Sequence, residues 1–186
     1  MIELRLRGKP AHVPRSVVEP LLISDLPTFC RWRGLPPWGA PELEQLVDVC
    51  DRLVVDSSEW RGLPAAYREL EALFDRTAVS DIAWGRSVAW RARLAALWPG
   101  IRRAERLSVT GPKADALLLA GWLRSRLRRD VKLSHRSSAE LERVAVDGEP
   151  VSAPRGGAPS QSDLLSAELD AFARDPVYEA AVRASG

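Results

Sequence analysis

The chain has 186 residues, of which 46% are hydrophobic and 28% charged, and its formal net charge is only +2. This length suits one domain with a real core, and we predict a single domain over 1–186. The near balance of charge argues against nucleic acid, no apolar run could span a bilayer, and the N-terminus lacks the apolar stretch of a signal peptide. A cytoplasmic protein without a membrane partner is predicted.

The two cysteines, Cys30 and Cys50, each lie in an apolar segment, which is typical of free thiols in a core. The chain has no Cys-x-x-Cys motif and no Cys/His cluster. The sequence therefore predicts no metal site, no disulfide framework and no cofactor.

The first half of the chain alternates predicted strands with predicted helices. Ile and Leu alternate with Glu and Arg over 2–7, which predicts a half-exposed strand. The run TFCRWR at 28–33 predicts a central strand that is buried on both faces and stopped by Gly34 and two prolines. The other predicted elements are a short helix at 17–23, helices starting at 41, 64 and 87, and strands at 52–56 and 77–82.

The second half begins with a predicted strand at 106–110 and a helix at 113–128 that is apolar on most sides and therefore buried. Two later strands, 131–135 and 142–147, are predicted to pair antiparallel. A capping box of Ser160 and Asp163 opens one of two C-terminal helices. The predicted fold class is thus α/β: a mostly parallel open sheet flanked by helices, with an antiparallel C-terminal strand pair and two C-terminal helices.

Polar side chains follow the predicted parallel strands where each strand ends. In an open parallel sheet, ligands bind beyond the carboxyl ends of the strands. Arginine forks, hydroxyls and a turn at a helix start could hold a phosphate there, although helix caps and loop salt bridges explain the same residues. The residues at these ends are Arg31, Arg33, Asp56, Ser57, Ser58, Ser80, Asp81, Thr110 and Gly111.

Tryptophan is abundant, with seven in the chain. Tryptophan and arginine are enriched at interface hot spots, whereas the alternative is core packing with arginine stems over the rings. Trp38 and Trp60 lie in loops next to Gly or Pro and are the better candidates for a partner surface, while Trp98 and Trp122 are predicted to be core. The remaining candidates for such a surface are Trp84, Arg86 and Arg91.

The known catalytic signatures are missing from the sequence. The Gly111-Pro112 turn has neither the G-x-G-x-x-G spacing nor a Gly-Lys-Ser/Thr ending, so no nucleotide is indicated. There is no G-x-S-x-G elbow, and neither histidine has an evident nucleophile partner. A basic run of Arg124, Arg126, Arg128, Arg129 and Lys132 could bind nucleic acid, but it better complements the end of a helix.

Several runs, in order, resemble one known family. They are PLLISDLPTFCRWRG, LVDVCDRLVVDSSEW, VSDIAWGRSVAWR and ALLLAGWLRSRL, and they cover about 18–128. The chain resembles the OpcA family, the glucose-6-phosphate dehydrogenase assembly proteins of actinobacteria and cyanobacteria. The resemblance implies a non-catalytic protein that assembles or activates the dehydrogenase of the oxidative pentose phosphate pathway. It also implies that the extra N-terminal portion of known members is absent here.

Two hypotheses follow. The first is an allosteric activator that docks on glucose-6-phosphate dehydrogenase and binds its more active form better. The second is an α/β domain that binds or processes a sugar phosphate, in which Asp56 and Asp81 serve as acid and base if they share a pocket and their pKa values diverge. The resemblance, not the residue spacing, names the dehydrogenase.

Overall fold

A computed structural model describes residues 14–23, 25–156, 159–170 and 173–186 of the chain. Over these ranges helices and strands alternate, which confirms the α/β class. The strand predicted at 2–7 lies outside the described residues. The helices are α1 (Pro14–Val18), α2 (Pro41–Val47), α3 (Ala65–Glu71), α4 (Ile82–Arg86), α5 (Val88–Ala95), α6 (Lys113–Leu127), α7 (Gln161–Leu169) and α8 (Pro176–Arg183).

The strands form two sheets rather than one. The first sheet has three parallel strands in the order β1-β2-β3, and the second has four strands in the order β5-β4-β6-β7. The strands are β1 (Phe29–Arg31), β2 (Arg52–Val55), β3 (Ala78–Asp81), β4 (Arg106–Gly111), β5 (Lys132–Ser137), β6 (Arg143–Val146) and β7 (Glu149–Pro150).

β2, not the TFCRWR strand, is the centre of the first sheet. All four residues of β2 are buried, as expected for a parallel strand that is covered on both faces. β1 is an outer strand within the described residues and covers only 29–31. The prediction that it is buried on both faces is wrong, because Phe29 and Cys30 are only half-buried and Arg31 is exposed.

The second sheet is mixed. β4 pairs parallel with β5 and antiparallel with β6, and β6 pairs antiparallel with β7. The C-terminal antiparallel strands are therefore present. The specific pairing of 131–135 with 142–147 is wrong, because β4 lies between β5 and β6, and the partner of β6 on its other side is the short β7.

The long helix α6 is the element that both sheets share. Its residues from Ala114 to Leu123 are buried, which confirms the predicted buried helix. One hydrophobic core joins α6 to β2, β4 and α8. α6 and α8 lie so close at Gly121 that a Cβ there would be 2.0 Å from the carbonyl oxygen of Ala181.

The remaining differences from the predicted elements are local. The helix expected at 17–23 is α1 followed by a 3-10 turn, and Ser87 separates α4 from α5 where one helix start was expected. Trp98 is 60% exposed, so its assignment to the core is wrong, whereas Trp122 is buried. The capping box of Ser160 and Asp163 is present at the start of α7.

Candidate functional site

Two carboxylates lie at the carboxyl ends of β2 and β3, which meet at one edge of the parallel sheet. Asp56 follows β2 and accepts hydrogen bonds from the backbone N–H and the hydroxyl of Ser58, at 3.1 and 2.6 Å. Asp81 ends β3, is fully buried, and accepts from the backbone N–H groups of Ser57 and Ala83, at 3.0 and 2.9 Å. Each carboxylate thus caps the helical turn that follows its strand.

A third carboxylate, Asp115 of α6, joins them through Arg86 at the end of α4. The Arg86 guanidinium donates to both oxygens of Asp115 at 3.2 Å and lies 3.5 Å from both oxygens of Asp56. This planar fork is the geometry that arginine offers to carboxylates. We call Asp56, Asp81, Arg86 and Asp115 the acidic network.

Burial changes the proton affinities in the acidic network. Burial raises the pKa of Asp81 to about 7, and the Asp56 charge adds to this rise. Burial also raises the pKa of Asp115, although Arg86 opposes that rise. Burial alone would lower the pKa of Arg86, but the carboxylates of Asp115 and Asp56 more than offset it and the pKa is raised.

Two tyrosines close the network from the core side. The Tyr178 hydroxyl of α8 donates to Asp81 at 3.3 Å, and the Tyr67 hydroxyl lies 2.9 Å from the Ser57 hydroxyl. Burial raises the pKa of both phenols well above the usual value. The network therefore links the first sheet to α4, α6 and α8 through hydrogen bonds and ion pairs between its own polar groups.

Arg31 and Arg33, which the sequence predicted at a phosphate or partner site, do not contact these carboxylates. Both are exposed on β1 and the turn after it, and Arg33 lies 3.7 Å from Glu59 with 75% of its side chain exposed. Trp38 is half-buried and packs edge-to-face on Trp60, with ring centroids 5.5 Å apart. Trp60 is buried and donates to the Gly34 carbonyl, so it is not a surface residue.

Trp84 and Arg91 lie in a separate place, at a cavity of about 500 Å³ between β3, α4, α5, α7 and α8. Trp84 donates from its indole N–H to Asp175 at 2.8 Å, and the Arg91 guanidinium stacks over its ring, 3.3 Å from the centroid. Arg52 of β2 lines the same cavity. We call this space the arginine cavity.

No site role was predicted from the sequence for Asp115, Arg52, Asp175 or Tyr178, although Asp175 was predicted as the cap of the last helix. A signal existed for Asp115, because it is a lone carboxylate among the apolar residues of α6. Such a residue is buried only with a partner. Arg52 had a weaker signal, since it opens a strand of buried apolar residues. Nothing in the local sequence placed Asp175 or Tyr178 beside β3, because they come almost a hundred residues later.

Within the described ranges, no group of three or more His, Cys, Asp and Glu side chains is arranged to hold a metal ion. Over the same ranges, no helix has both the length and the apolar character needed to cross a membrane.

The fold defines an α/β protein whose two small sheets are joined by a buried helix. Residues 1–72 match a family model described as the N-terminal domain of a glucose-6-phosphate dehydrogenase subunit, and 77–156 match its C-terminal domain. The chain belongs to the OpcA family, which confirms the resemblance seen in its sequence.

Three curated relatives carry the name "Putative OxPP cycle protein OpcA". The protein from Synechococcus elongatus is 31% identical over 66% of this chain and 30% of its own length. The Nostoc punctiforme protein is 28% identical over 67% of this chain and 29% of its own length. The Synechocystis protein is 27% identical over 89% of this chain and 40% of its own length. The chain thus spans well under half the length of these relatives.

The two matched ranges do not coincide with the two sheets. The first range ends after α3 and the second begins just before β3. Since β3 pairs with β2, the parallel sheet draws strands from both ranges.

Proposed function

We propose that this chain is a non-catalytic partner of glucose-6-phosphate dehydrogenase that acts from the cytoplasm as a single domain over 1–186. It would bind the more active form of the enzyme better and thereby raise its activity. The observation that carries the proposal is the match of both halves of the chain to domains described as parts of a dehydrogenase subunit. The sharing of the parallel sheet between the two matched ranges supports the single domain.

We assign docking to the exposed side of β1 and the turn after it. Arg31 and Arg33 point outward there, and Leu35 is exposed directly after them. Trp38 follows in the same turn and is half-buried. Arginine and tryptophan are enriched in interface hot spots. The docking face is Arg31, Arg33, Leu35 and Trp38.

The other residues first considered for a partner surface serve internal contacts. Trp60, Trp84 and Asp81 are buried, Arg86 holds two carboxylates and Arg91 covers Trp84. The docking proposal is therefore narrower than the set of candidates taken from the sequence.

The non-catalytic part of the proposal is supported by the state of the candidate acid and base. Asp81 is fully buried and accepts from two backbone N–H groups and from Tyr178. Asp56 is buried, accepts from Ser58 and faces Arg86. General acid–base catalysis needs a group within reach of the substrate's proton. These carboxylates face protein groups, so we do not assign sugar-phosphate processing to them.

A protein partner also fits the charge better than nucleic acid does. The net charge is +2. In the basic run at the end of α6, Arg124 donates to the carbonyls of Val131 and Ala184, so it is part of the helix end rather than a free phosphate contact.

The docking proposal is tested by measuring the affinity of the chain for the dehydrogenase of its own organism, using calorimetry. The double variant R31E/R33E should weaken binding at least tenfold, because two exposed arginines of the docking face reverse charge. The matched control is R102E/R103E, an adjacent pair of exposed arginines before β4, which should stay within twofold. No binding by the wild-type chain contradicts the function, whereas equal loss in both variants contradicts only the docking face.

A further inference from the structure

α5 and the turn after it expose an apolar surface. Every exposed residue of 88–99 is apolar, whereas Arg91 and Arg93, the charged residues of this segment, are half-buried. Val88 is 55% exposed, Leu97 41% and Trp98 60%. A surface helix normally turns its charged and polar residues to the solvent. α5 has the reverse arrangement, which indicates that another surface covers it. We call the exposed residues of 88–99 the α5 face.

The fold does not need the α5 face for its own core. Trp90 and Leu94, on the inner side of α5, are buried in the hydrophobic core. Trp98 is the only one of the seven tryptophans that is exposed. Contiguous exposed apolar surface marks interaction sites, and tryptophan is enriched among the residues that carry binding energy. The α5 face therefore has the composition of a contact surface.

The charge around the α5 face differs between its two ends. No Asp or Glu occurs over 82–104. Arg93 and Arg102 form no ion pair among the described residues, and both belong to the end that carries Trp98. At the other end, Val88 borders the arginine cavity, which three carboxylates also line. These carboxylates are Asp163, Glu168 and Asp175. Positive charge is thus unpaired beside Trp98, and it favours a partner with carboxylates there.

Two other occupants fit the α5 face less well. A second copy of the chain would bring Arg93 and Arg102 against the same arginines around one contact, and like charges across an interface repel. Membrane-binding helices insert bulky apolar side chains, whereas half of the exposed residues of the α5 face are alanines. Alanines leave a smooth surface on which the larger side chains of another helix can pack.

We propose that the α5 face binds an acidic amphipathic helix of a protein partner. The apolar side of that helix packs on Leu97, Trp98 and the alanines of α5, and its flanking carboxylates pair with Arg93 and Arg102. In this recognition mode an amphipathic helix lays its apolar side on an apolar surface. The α5 face shares no residue with the docking face, and the proposal does not rest on the dehydrogenase.

The test is a titration of the chain into labelled helical peptides of about 20 residues, a length at which isolated helices form, read by fluorescence anisotropy. The first peptide has leucines three and four residues apart on one side and glutamates beside them. The second has lysines in place of the glutamates, and the third has glutamines in place of the leucines. The first should bind at least tenfold tighter than either of the others. No binding of the first, or equal affinity for the first and either of the others, overturns the proposal.

Variants locate the contact. A92E should weaken binding of the first peptide at least tenfold, because it places a carboxylate on the apolar surface. W98A should weaken it to a similar extent, because it removes the exposed ring. The matched control is A65E, which changes an exposed alanine of α3 in the same way and should stay within twofold. Unchanged binding in A92E or W98A, with folding confirmed by circular dichroism, or an equal loss in A65E, overturns the α5 face.

Two further measurements examine the other occupants. Sedimentation velocity of the chain alone should show no dimer that A92E dissociates, and such a dimer would assign the α5 face to a second copy and overturn the proposal. Flotation with phosphatidylglycerol vesicles should show no binding that W98A removes, and such binding would overturn it in favour of a membrane. The dehydrogenase is absent from all these measurements, so their failure leaves the proposed partner role untouched.

Discussion

The acidic network and the arginine cavity both hold charged side chains next to the parallel sheet, but the charged groups are paired with one another only in the acidic network. In the acidic network, Asp56 and Asp115 share Arg86, and Asp81 is surrounded by donors. In the arginine cavity, Arg52 and Arg91 form no ion pair among the described residues, and their buried Nε atoms have no hydrogen-bond partner there. Charged groups that pair with one another hold the fold together more strongly than charged groups that do not.

α8 is the element that separates the two regions. Tyr178 donates to Asp81 on one side and lines the arginine cavity on the other. Asp175, just before α8, caps that helix and holds Trp84 in place beneath Arg91. The position of α8, fixed by its close contact with α6 at Gly121, therefore shapes both regions.

The largest expected effect comes from breaking the acidic network. R86A leaves Asp56 and Asp115 buried without their cation, which should lower the free energy of unfolding by about 3–5 kcal/mol. The matched control is R33A, which removes an exposed pair with Glu59 and should cost about 0–1 kcal/mol. Urea denaturation of both variants measures the difference. Similar small losses in both would show that the acidic network does not hold the fold together.

A pH series gives the next largest effect. Burial raises the pKa of Asp81 to about 7 in the folded chain, far above the carboxyl's usual value. Between those two values the folded state keeps a proton that the unfolded state has lost. The contribution of Asp81 to stability is therefore full at low pH and is lost as pH rises towards 7, at up to about 1.4 kcal/mol per pH unit.

The variant D81N isolates this contribution because it keeps the shape and the oxygen that accepts from Ser57 and Ala83. The free energy of unfolding should fall less steeply between pH 5 and 7 in D81N than in the wild-type chain. Asp115 also makes the free energy of unfolding fall as pH rises, in both proteins, since burial raises the pKa of Asp115 too. Identical slopes would contradict a protonated, structural Asp81.

The smallest expected effect is in the arginine cavity. R91Q removes a guanidinium that forms no ion pair among the described residues, but that stacks on Trp84 and donates to the Trp84 carbonyl. The variant should lower the free energy of unfolding by about 0.5–2 kcal/mol, the range of a cation–π contact from exposed to desolvated sites. Thermal denaturation compares it with R86A. A loss as large as that of R86A would place Arg91 among the residues that hold the fold together.

The sequence predicted the regular elements well where patterns are local. The apolar helix at 113–128 and the capping box at Ser160 were found because their signals lie within a few residues. TFCRWR reads as a strand buried on both faces because of its aromatic residues, whereas the alternation of Arg31, Trp32 and Arg33 agrees with the outer position that β1 has among the described strands. Strand order depends on contacts between distant segments, which no local pattern carries.

The candidate sites were predictable only in part. Asp56, Ser57, Ser58 and Asp81 do meet at one sheet edge, as parallel strands require. Their partners Asp115 and Tyr178 come from α6 and α8, and the arginine cavity needs α7 and α8 to enclose it. These contacts arise from the packing of helices that are distant in the sequence. The sequence therefore predicted that Asp56 and Asp81 share a sheet edge, but not the cavity.

The central claim is that the chain has no catalytic activity of its own and raises that of the dehydrogenase. The most direct measurement is the initial rate of glucose 6-phosphate oxidation at low substrate, with the dehydrogenase fixed and the chain titrated. We predict a saturable rise in rate that R31E/R33E shifts to higher concentration, and no rate from the chain alone. An unchanged rate across the titration, or oxidation by the chain without the dehydrogenase, would contradict the account.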